Sequence, residues 1–261
     1  MSSFPLSSPA RTLCAGLLLA VGACSLLGQA TESPATVARG AWLLESDLLS
    51  VAHERCSTDD GSYLSRSVLW GNVLLSTGVS DRVDVQAGFD GWLDDSPGGG
   101  EPSRHGHGDG VLRMKWTFAG KDGEGFAAAL LPQLRLPISS SGMGAHRLEP
   151  GLFVPLSLPL GEKWFWGGMI GLDSTRADNG DWNFYWQGSS YLCCTLSKAL
   201  SAYAELTGSG PFTAPRVPAW QAGLGLAWQL NQRLLCEAAL YRGINTGALD
   251  WNPVLRLSLS F

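Results

Sequence analysis

An alternation of apolar and polar residues runs through most of this chain, and it constrains the fold more than any other feature. It is clearest between Arg82 and Trp92, where valine, alanine and phenylalanine fall on one face while aspartate, glutamine and glycine fall on the other. A helix of period 3.6 does not separate residues in this way, whereas an extended strand does. A strand with lipid on one side and a barrel lumen on the other needs this alternation over about 10 positions. The pattern therefore predicts membrane-spanning strands.

The alternation recurs about twelve times, from a first strand near Trp42 to a last strand that ends at Phe261. Charges inside these strands, Arg66 among them, all fall on the face opposite the apolar one. A charge facing lipid costs roughly 2–4 kcal/mol near the middle of the bilayer, so we expect these charges to face the lumen. Tight turns, such as 161–163, alternate with long polar loops, such as 93–109. We predict an all-β fold, a transmembrane antiparallel β-barrel of about 12 strands with short periplasmic turns and longer extracellular loops.

The composition agrees with a barrel and argues against other classes. Only 16% of the residues are charged, 33 are glycine and 11 are tryptophan, whereas soluble proteins carry about 25% charged residues. No apolar run after the first thirty residues is long enough for a membrane-spanning helix, which needs roughly 20 residues. The net charge of -5 provides no basic stripe, so we expect no nucleic-acid partner. Several tryptophans fall at predicted strand ends, where aromatic belts meet the lipid headgroups: Trp42, Trp164, Trp182, Trp220 and Trp251.

The first thirty residues have the pattern of an export signal. Arg11 is their only charge, an apolar stretch spans residues 13–27, and the small residues Gly28 and Ala30 are placed for cleavage after Ala30. A lipoprotein signal that makes Cys24 the acylated N-terminus is the alternative. We predict a signal peptide at 1–30, an N-terminal linker at 31–39 and a barrel domain at 40–261. The expected location is the outer membrane of a Gram-negative bacterium.

Several short motifs resemble one known outer-membrane family. They are the turn at 77–85, the strand start at 108–111, the strand end at 134–137 and the Ala-Tyr-Ala-Glu-Leu stretch at 202–206. In order and spacing they are similar to the MetA-pathway of phenol degradation family, whose members are often labelled transporters. The resemblance implies passage of hydrophobic or aromatic compounds across the outer membrane, and it supplies no catalytic residues. The adjacent Cys193 and Cys194 and a loop rich in glycine and histidine depart from the family.

We therefore predict a channel or transporter for passive passage of small hydrophobic or aromatic solutes. Because twelve strands enclose a narrower lumen than a porin does, and because the lumen charges have mixed signs, a non-conducting structural or adhesive barrel that acts through its extracellular loops stays open. Lumen tyrosines either line a solute path or fill space. The expected partners are the lipid bilayer and lipopolysaccharide, the small-molecule solute, and the outer-membrane insertion machinery, which would read Phe261 as its signal. The candidate lumen residues are Glu45, Asp84, Arg113, Lys115, Arg135, Tyr185, Tyr191, Tyr203, Glu205, Glu237, Tyr241 and Arg256.

We expect no enzyme, no cofactor and no metal. His105 and His107 with nearby Asp109 have ligand-like spacing, but a long extracellular loop tolerates this composition without any metal. A minor alternative is an outer-membrane hydrolase that uses His53 or His146 with one of the serines at 139–141, although no nucleophile motif is present. The cysteines outside the signal contain no C-x-x-C pair, so we interpret them as small apolar residues: Cys56, Cys193, Cys194 and Cys236.

Overall fold

The computed structural model describes residues 31–58, 61–121, 123–140, 143–177, 179–212 and 217–261. In these ranges the chain forms fourteen β-strands, and none of the described residues belongs to a helix long and apolar enough to cross a membrane. The strands are β1 (Trp42–Thr58), β2 (Gly61–Ser80), β3 (Val83–Phe89), β4 (Trp92–Ser96), β5 (Arg104–His107), β6 (Gly110–Ala119), β7 (Ala127–Leu136), β8 (Glu149–Leu160), β9 (Trp164–Arg176), β10 (Trp182–Thr195), β11 (Leu200–Pro211), β12 (Ala219–Gln229), β13 (Leu234–Gly243) and β14 (Trp251–Ser260).

Twelve of these strands form a closed antiparallel ring. β1 pairs with both β2 and β14, β3 pairs with β6, and every other ring strand pairs with its neighbours along the chain. The backbones of Trp42 and Phe261 exchange two hydrogen bonds, of 2.9 and 3.0 Å, where the ring closes. The other two strands, β4 and β5, form a hairpin on the outer half of β2. The predicted all-β barrel of twelve strands is confirmed.

The two faces of the wall differ as the alternation predicted. Large apolar side chains such as Ile170 and Leu224 are 62% and 70% exposed, whereas Asp84 and Glu205 are 0% and 3% exposed. Outward apolar groups suit lipid, and inward polar groups are sheltered by the ring itself. The tryptophans predicted for the belts are exposed at or next to strand ends.

Arg66 is an exception to the predicted segregation of charge. It is exposed on the same side of β2 as Leu64 and Trp70, opposite the buried Ser65. β1 and β2 contain 17 and 20 residues, and a strand needs only about 9–11 to cross the bilayer. The ends of these two strands therefore extend beyond the hydrocarbon, where an outward charge carries no such penalty.

Tyrosine rings on the inner face lie flat against glycines of the adjacent strand. Tyr203 covers Gly225 and Tyr241 covers Gly223, and in both places a Cβ would overlap ring atoms. Both hydroxyl groups are hydrogen-bonded, and both tyrosines are buried. These pairs allow bulky rings to fit inside a curved wall, because glycine permits close approach. At least these two tyrosines fill space in the wall.

Candidate functional site: the lumen and the segment inside it

The lumen contains a stretch of the chain itself. Residues 31–38, here called the N-terminal segment, precede β1 and lie inside the ring, with Thr31 4% exposed and Pro34 also buried. They enter at the tight-turn end, where Arg39 bridges to Gly78 and the Gly40 amide donates to the Gly78 carbonyl over 3.0 Å. Gly78 must lack a side chain because the carbonyl groups of residues 37 and 38 occupy that space. The stretch predicted as a linker is therefore part of the lumen.

Glu32 is the main charged anchor of the N-terminal segment. Its carboxylate accepts from the Arg113 guanidinium over 2.8 Å and from the Lys115 ammonium over 3.3 Å, and all three side chains are nearly buried. Burial alone would raise the pKa of Glu32, but Lys115 and Arg113 hold that pKa below its ordinary value of 4.5. Two cations on one strand, β6, thus keep the carboxyl ionised inside the barrel.

Other lumen side chains bond to the backbone of the N-terminal segment. The Thr117 hydroxyl donates to the Pro34 carbonyl over 2.6 Å, and Lys115 donates to the Ala35 carbonyl over 3.3 Å. The Val37 amide donates to the Asp84 carboxylate over 3.0 Å. An irregular segment inside a barrel has no strand partner along most of its length, so its polar backbone groups need such partners. The lumen wall supplies them.

The inner end of the N-terminal segment reaches Glu205. The Thr31 backbone nitrogen and hydroxyl donate to one oxygen of this carboxylate over 2.8 and 2.6 Å, and the Tyr241 hydroxyl donates to the other over 2.5 Å. The Thr31 hydroxyl also lies 2.6 Å from that of Ser189. Glu205 thus connects the segment to a wall tyrosine.

A second cluster lies on the wall formed by β1, β14, β13 and β11. Arg256 donates to Asp47 over 2.9 Å, and the Tyr203 hydroxyl donates to Glu237 over 2.6 Å. All four side chains are buried. Glu45 is half-buried two residues before Asp47 and so shares its face of β1. Asp47, which was absent from the predicted candidates, is the direct partner of Arg256.

The outer half of the lumen has a separate ion network and an inward loop. Arg135 lies 3.4 Å from Glu149 and 3.5 Å from Asp173. In the loop between β7 and β8, Met143 is 5% exposed and the Ala145 amide donates to Asp109 over 2.7 Å. This loop is fixed to the wall at both of its ends, by β7 and β8.

Aromatic rings gather on one side of the lumen. Tyr191 on β10 lies 6.1 Å from the ring of Phe165 and 6.5 Å from that of Tyr203. Tyr185 is half-buried on the same face of β10, because residues six positions apart in a strand point the same way. The cations Arg113 and Lys115 lie on β6, a separate part of the ring three to five strands from β9, β10 and β11.

The structure places all the predicted lumen candidates on the inner face of the ring and divides them among these clusters. Sequence reasoning missed Thr31 and Glu32. One signal was available for Glu32: it is the only acidic residue between positions 31 and 44, and two cations face the lumen on one predicted strand. An unpaired buried charge is costly, so those cations needed a partner.

The histidines, serines and cysteines that were weighed as metal, hydrolase or thiol sites lie in the following surroundings. The His105 ring stacks on Trp92 at 5.9 Å and the His107 ring lies 5.7 Å from that of Phe89. Among the described residues no group of three or more potential ligands can hold a metal ion. The hydrolase alternative involved His53 or His146 with one of the serines at 139–141: the Ser140 hydroxyl accepts from the His107 amide over 3.1 Å, and Ser141 lies outside the described residues. The predicted signal peptide and Cys24 also lie outside them. No cysteine in the described part of the chain forms a disulfide bond.

Comparisons with known proteins agree with the barrel. Among solved structures, an outer membrane channel from Pseudomonas putida F1 has a TM-score of 0.68 at 13% identity, covering 87% of this chain and 97% of its own. The translocator domain of the autotransporter NalP from Neisseria meningitidis has a TM-score of 0.54 at 10% identity, covering 97% and 96%. The NanC porin has a TM-score of 0.53 at 10% identity, covering 83% and 98%. At such identities the likeness shows the fold alone.

The family comparison identifies the chain more closely. No curated protein matches its sequence. A family model described as "Putative MetA-pathway of phenol degradation" matches residues 28–261, which includes all of the chain outside the predicted signal. This protein therefore belongs to that phenol degradation family, and it is an outer-membrane β-barrel.

Proposed function

We propose that this protein is a channel for passive passage of small hydrophobic or aromatic solutes across the outer membrane, and that its N-terminal segment closes the channel. The observation that carries the proposal is the burial of Glu32 between Arg113 and Lys115 inside the ring. A piece of backbone occupies the place where a solute would pass. If the N-terminal segment closes the channel, the lumen is open when this segment leaves it.

The width of the ring supports a channel. Barrels of about eight strands are filled by their own side chains, whereas wider barrels leave interior space. Here the wall side chains leave enough room for eight residues of chain. Removing the segment would leave a cavity lined by groups that now bond to it, such as Thr117 and Asp84. Water or solute would take its place.

The contacts of the N-terminal segment suit a reversible closure. They are mostly hydrogen bonds and ion pairs, and Pro34 is the main buried apolar contribution. Intramolecular hydrogen bonds stabilise by only about 0.5–1.5 kcal/mol each, because water replaces them when they break. Undocking also hydrates both partners of each ion pair and breaks no strand pairing, so the segment can leave the lumen while the wall stays intact.

The aromatic side of the lumen supports the solute class. Phe165 on β9 and Tyr191 on β10 are half-buried rings whose centroids lie 6.1 Å apart, next to the space-filling Tyr203 on β11. Rings of this kind offer offset or edge contacts to an aromatic solute. The family description points to the same chemistry through phenol degradation.

Ion current through a variant that lacks residues 31–38, with the signal joined directly to Arg39, tests this proposal. In a planar bilayer we expect a steady current that phenol added to one side reduces and that glucose at equal concentration does not. Full-length protein is the control and should conduct far less. Equal reduction by both solutes would contradict the solute class, and a variant without current would contradict the channel.

One set of observations favours the non-conducting barrel instead. Arg256 with Asp47 and Arg135 with Glu149 and Asp173 are ion pairs that also occupy lumen space. If they close the lumen without the segment, the deletion variant will stay silent while heat-modifiable gel migration shows that it is folded. The protein would then act through its long extracellular loops, as a structural or adhesive barrel.

A further inference from the structure

We infer that the α-amino group of Thr31, created when the signal is cut after Ala30, is the latch of the closed channel and forms an ion pair with Glu205. This inference rests on the proposed function, because the latch holds the N-terminal segment that closes the lumen. It assigns a role to export processing itself: the cut produces the charged group that completes closure.

The contact geometry places this nitrogen at an anionic partner. The Thr31 nitrogen lies 2.8 Å from Glu205 Oε1 and its hydroxyl lies 2.6 Å from the same oxygen. Thr31 and Glu205 are 4% and 3% exposed. In an uncut chain this nitrogen is a neutral amide with one hydrogen. After the cut it is an ammonium with three, and charge-assisted bonds are about twice as strong as neutral ones.

Burial makes the charge of the nitrogen important. A buried carboxylate loses several kcal/mol of hydration, and only a close, hydrogen-bonded cation compensates for such a loss. At 2.8 Å the new terminus is at ion-pair distance from Glu205. The Tyr241 hydroxyl on the other carboxylate oxygen fixes its orientation. The site therefore recognises a chain that begins at Thr31.

Chain length argues against acylation at Cys24. Glu205 is five residues from Leu200, the tight-turn end of β11, which puts Thr31 about 17 Å along the wall from that end. Cys24 is seven residues before Thr31, a reach of at most about 25 Å. The chain would have to run back through the lumen beside the N-terminal segment and leave only about 8 Å to pass the rim and enter the lipid. Cleavage after Ala30 has no such requirement.

Two variants and a mass measurement test the latch in the full-length exported protein. Glu205→Gln removes the carboxylate charge and keeps its shape, and one alanine inserted between Ala30 and Thr31 moves the ammonium by one residue. Each should raise the open probability in planar bilayers at least about tenfold, because breaking a buried charge pair is strongly unfavourable. Glu54→Gln, which replaces a buried carboxyl group at the other end of the barrel, is the matched control and should behave like the wild type. The intact mass of each protein should correspond to cleavage after Ala30, with the inserted alanine retained.

The deletion of residues 31–38 separates the two possible failures. If that deletion conducts while Glu205→Gln and the insertion behave like the wild type, the latch is wrong and the channel stands. A mass that corresponds to acylated Cys24 would also overturn the latch. If the deletion itself does not conduct, the proposed function fails first. Circular dichroism and heat-modifiable migration confirm that each variant is folded.

Discussion

The periplasmic and outer halves of the lumen are both narrowed, but by different devices. The periplasmic half holds the N-terminal segment, which joins the wall at Arg39 and bonds through Glu32 and Thr31. The outer half holds the loop between β7 and β8, which is attached to a strand at each end, and the network around Arg135. A segment that leaves without disturbing strand pairing can regulate a channel, whereas a loop that is part of the wall mainly sets its shape.

Removing the N-terminal segment or the loop between β7 and β8 should give the largest difference in channel current between the two halves of the lumen. Deleting residues 31–38 should raise the mean current by at least about tenfold, since it clears the periplasmic half of a wide ring. Replacing residues 138–146 by a short glycine-serine turn should alter the size of the open current and not how often the channel opens. Single-channel recording measures both quantities. If the loop variant opens frequently although its N-terminal segment is intact, then the loop and not the segment controls opening.

Charge removal in the two halves should also have different consequences. Arg113→Ala with Lys115→Ala leaves Glu32 buried without its two nearest cations, at a cost of about 3–5 kcal/mol, so the segment should undock and the channel should open. Arg135→Ala breaks a comparable network, but one that does not touch the segment. It should lower the unfolding temperature and leave the open probability near that of the wild type. An Arg135→Ala channel that opens as often as the double variant would show that the halves are not independent.

Acidification should open the channel through Glu32. Its docked pKa lies below the ordinary 4.5, so its contribution is complete above that ordinary value and is lost as the pH falls through the docked pKa. The current should therefore stay low at pH values above 4.5 and rise as the pH falls below 4.5 through the docked pKa. Glu32→Gln should lack this component of the pH dependence, which separates it from titration of the wall carboxylates. A rise that is unchanged in Glu32→Gln would assign it to other groups.

A change in the wall itself should have the smallest effect on opening. Gly225→Ala places a Cβ against the ring of Tyr203 and should destabilise the barrel by about 1–3 kcal/mol through overpacking. The atoms nearest to that Cβ all belong to Tyr203 and none to the segment. We expect a lower temperature of heat-modifiable unfolding and an unchanged open probability. Gly188→Ala is the matched control, because only the Met169 carbonyl lies near its Cβ position, at 4.0 Å.

The sequence predicted the wall better than its contents. Alternation, tight turns and belts fixed twelve strands and placed Arg113, Glu205 and Arg256 on the inner face, because a strand between lipid and lumen has few other solutions. It predicted a linker at 31–39, since nine residues without periodicity give no local sign of where they lie. It also placed Arg66 in the lumen, because alternation does not show where the hydrocarbon ends. Thr31 and Glu205 are 174 positions apart and meet only because the ring closes. No local sequence pattern can predict such a contact.

Capturing the N-terminal segment outside the lumen while the channel is open would show whether the segment is the gate. Ala35 is exposed, so Ala35→Cys, in a protein whose native cysteines are replaced by serine, can be labelled with biotin on a short tether. We predict that streptavidin added on the tight-turn side traps each molecule at its next opening and locks the current on. Streptavidin on the opposite side should have no effect. Openings that continue without capture from the tight-turn side would mean that the segment stays in the lumen while the channel conducts, and it would then not be the gate.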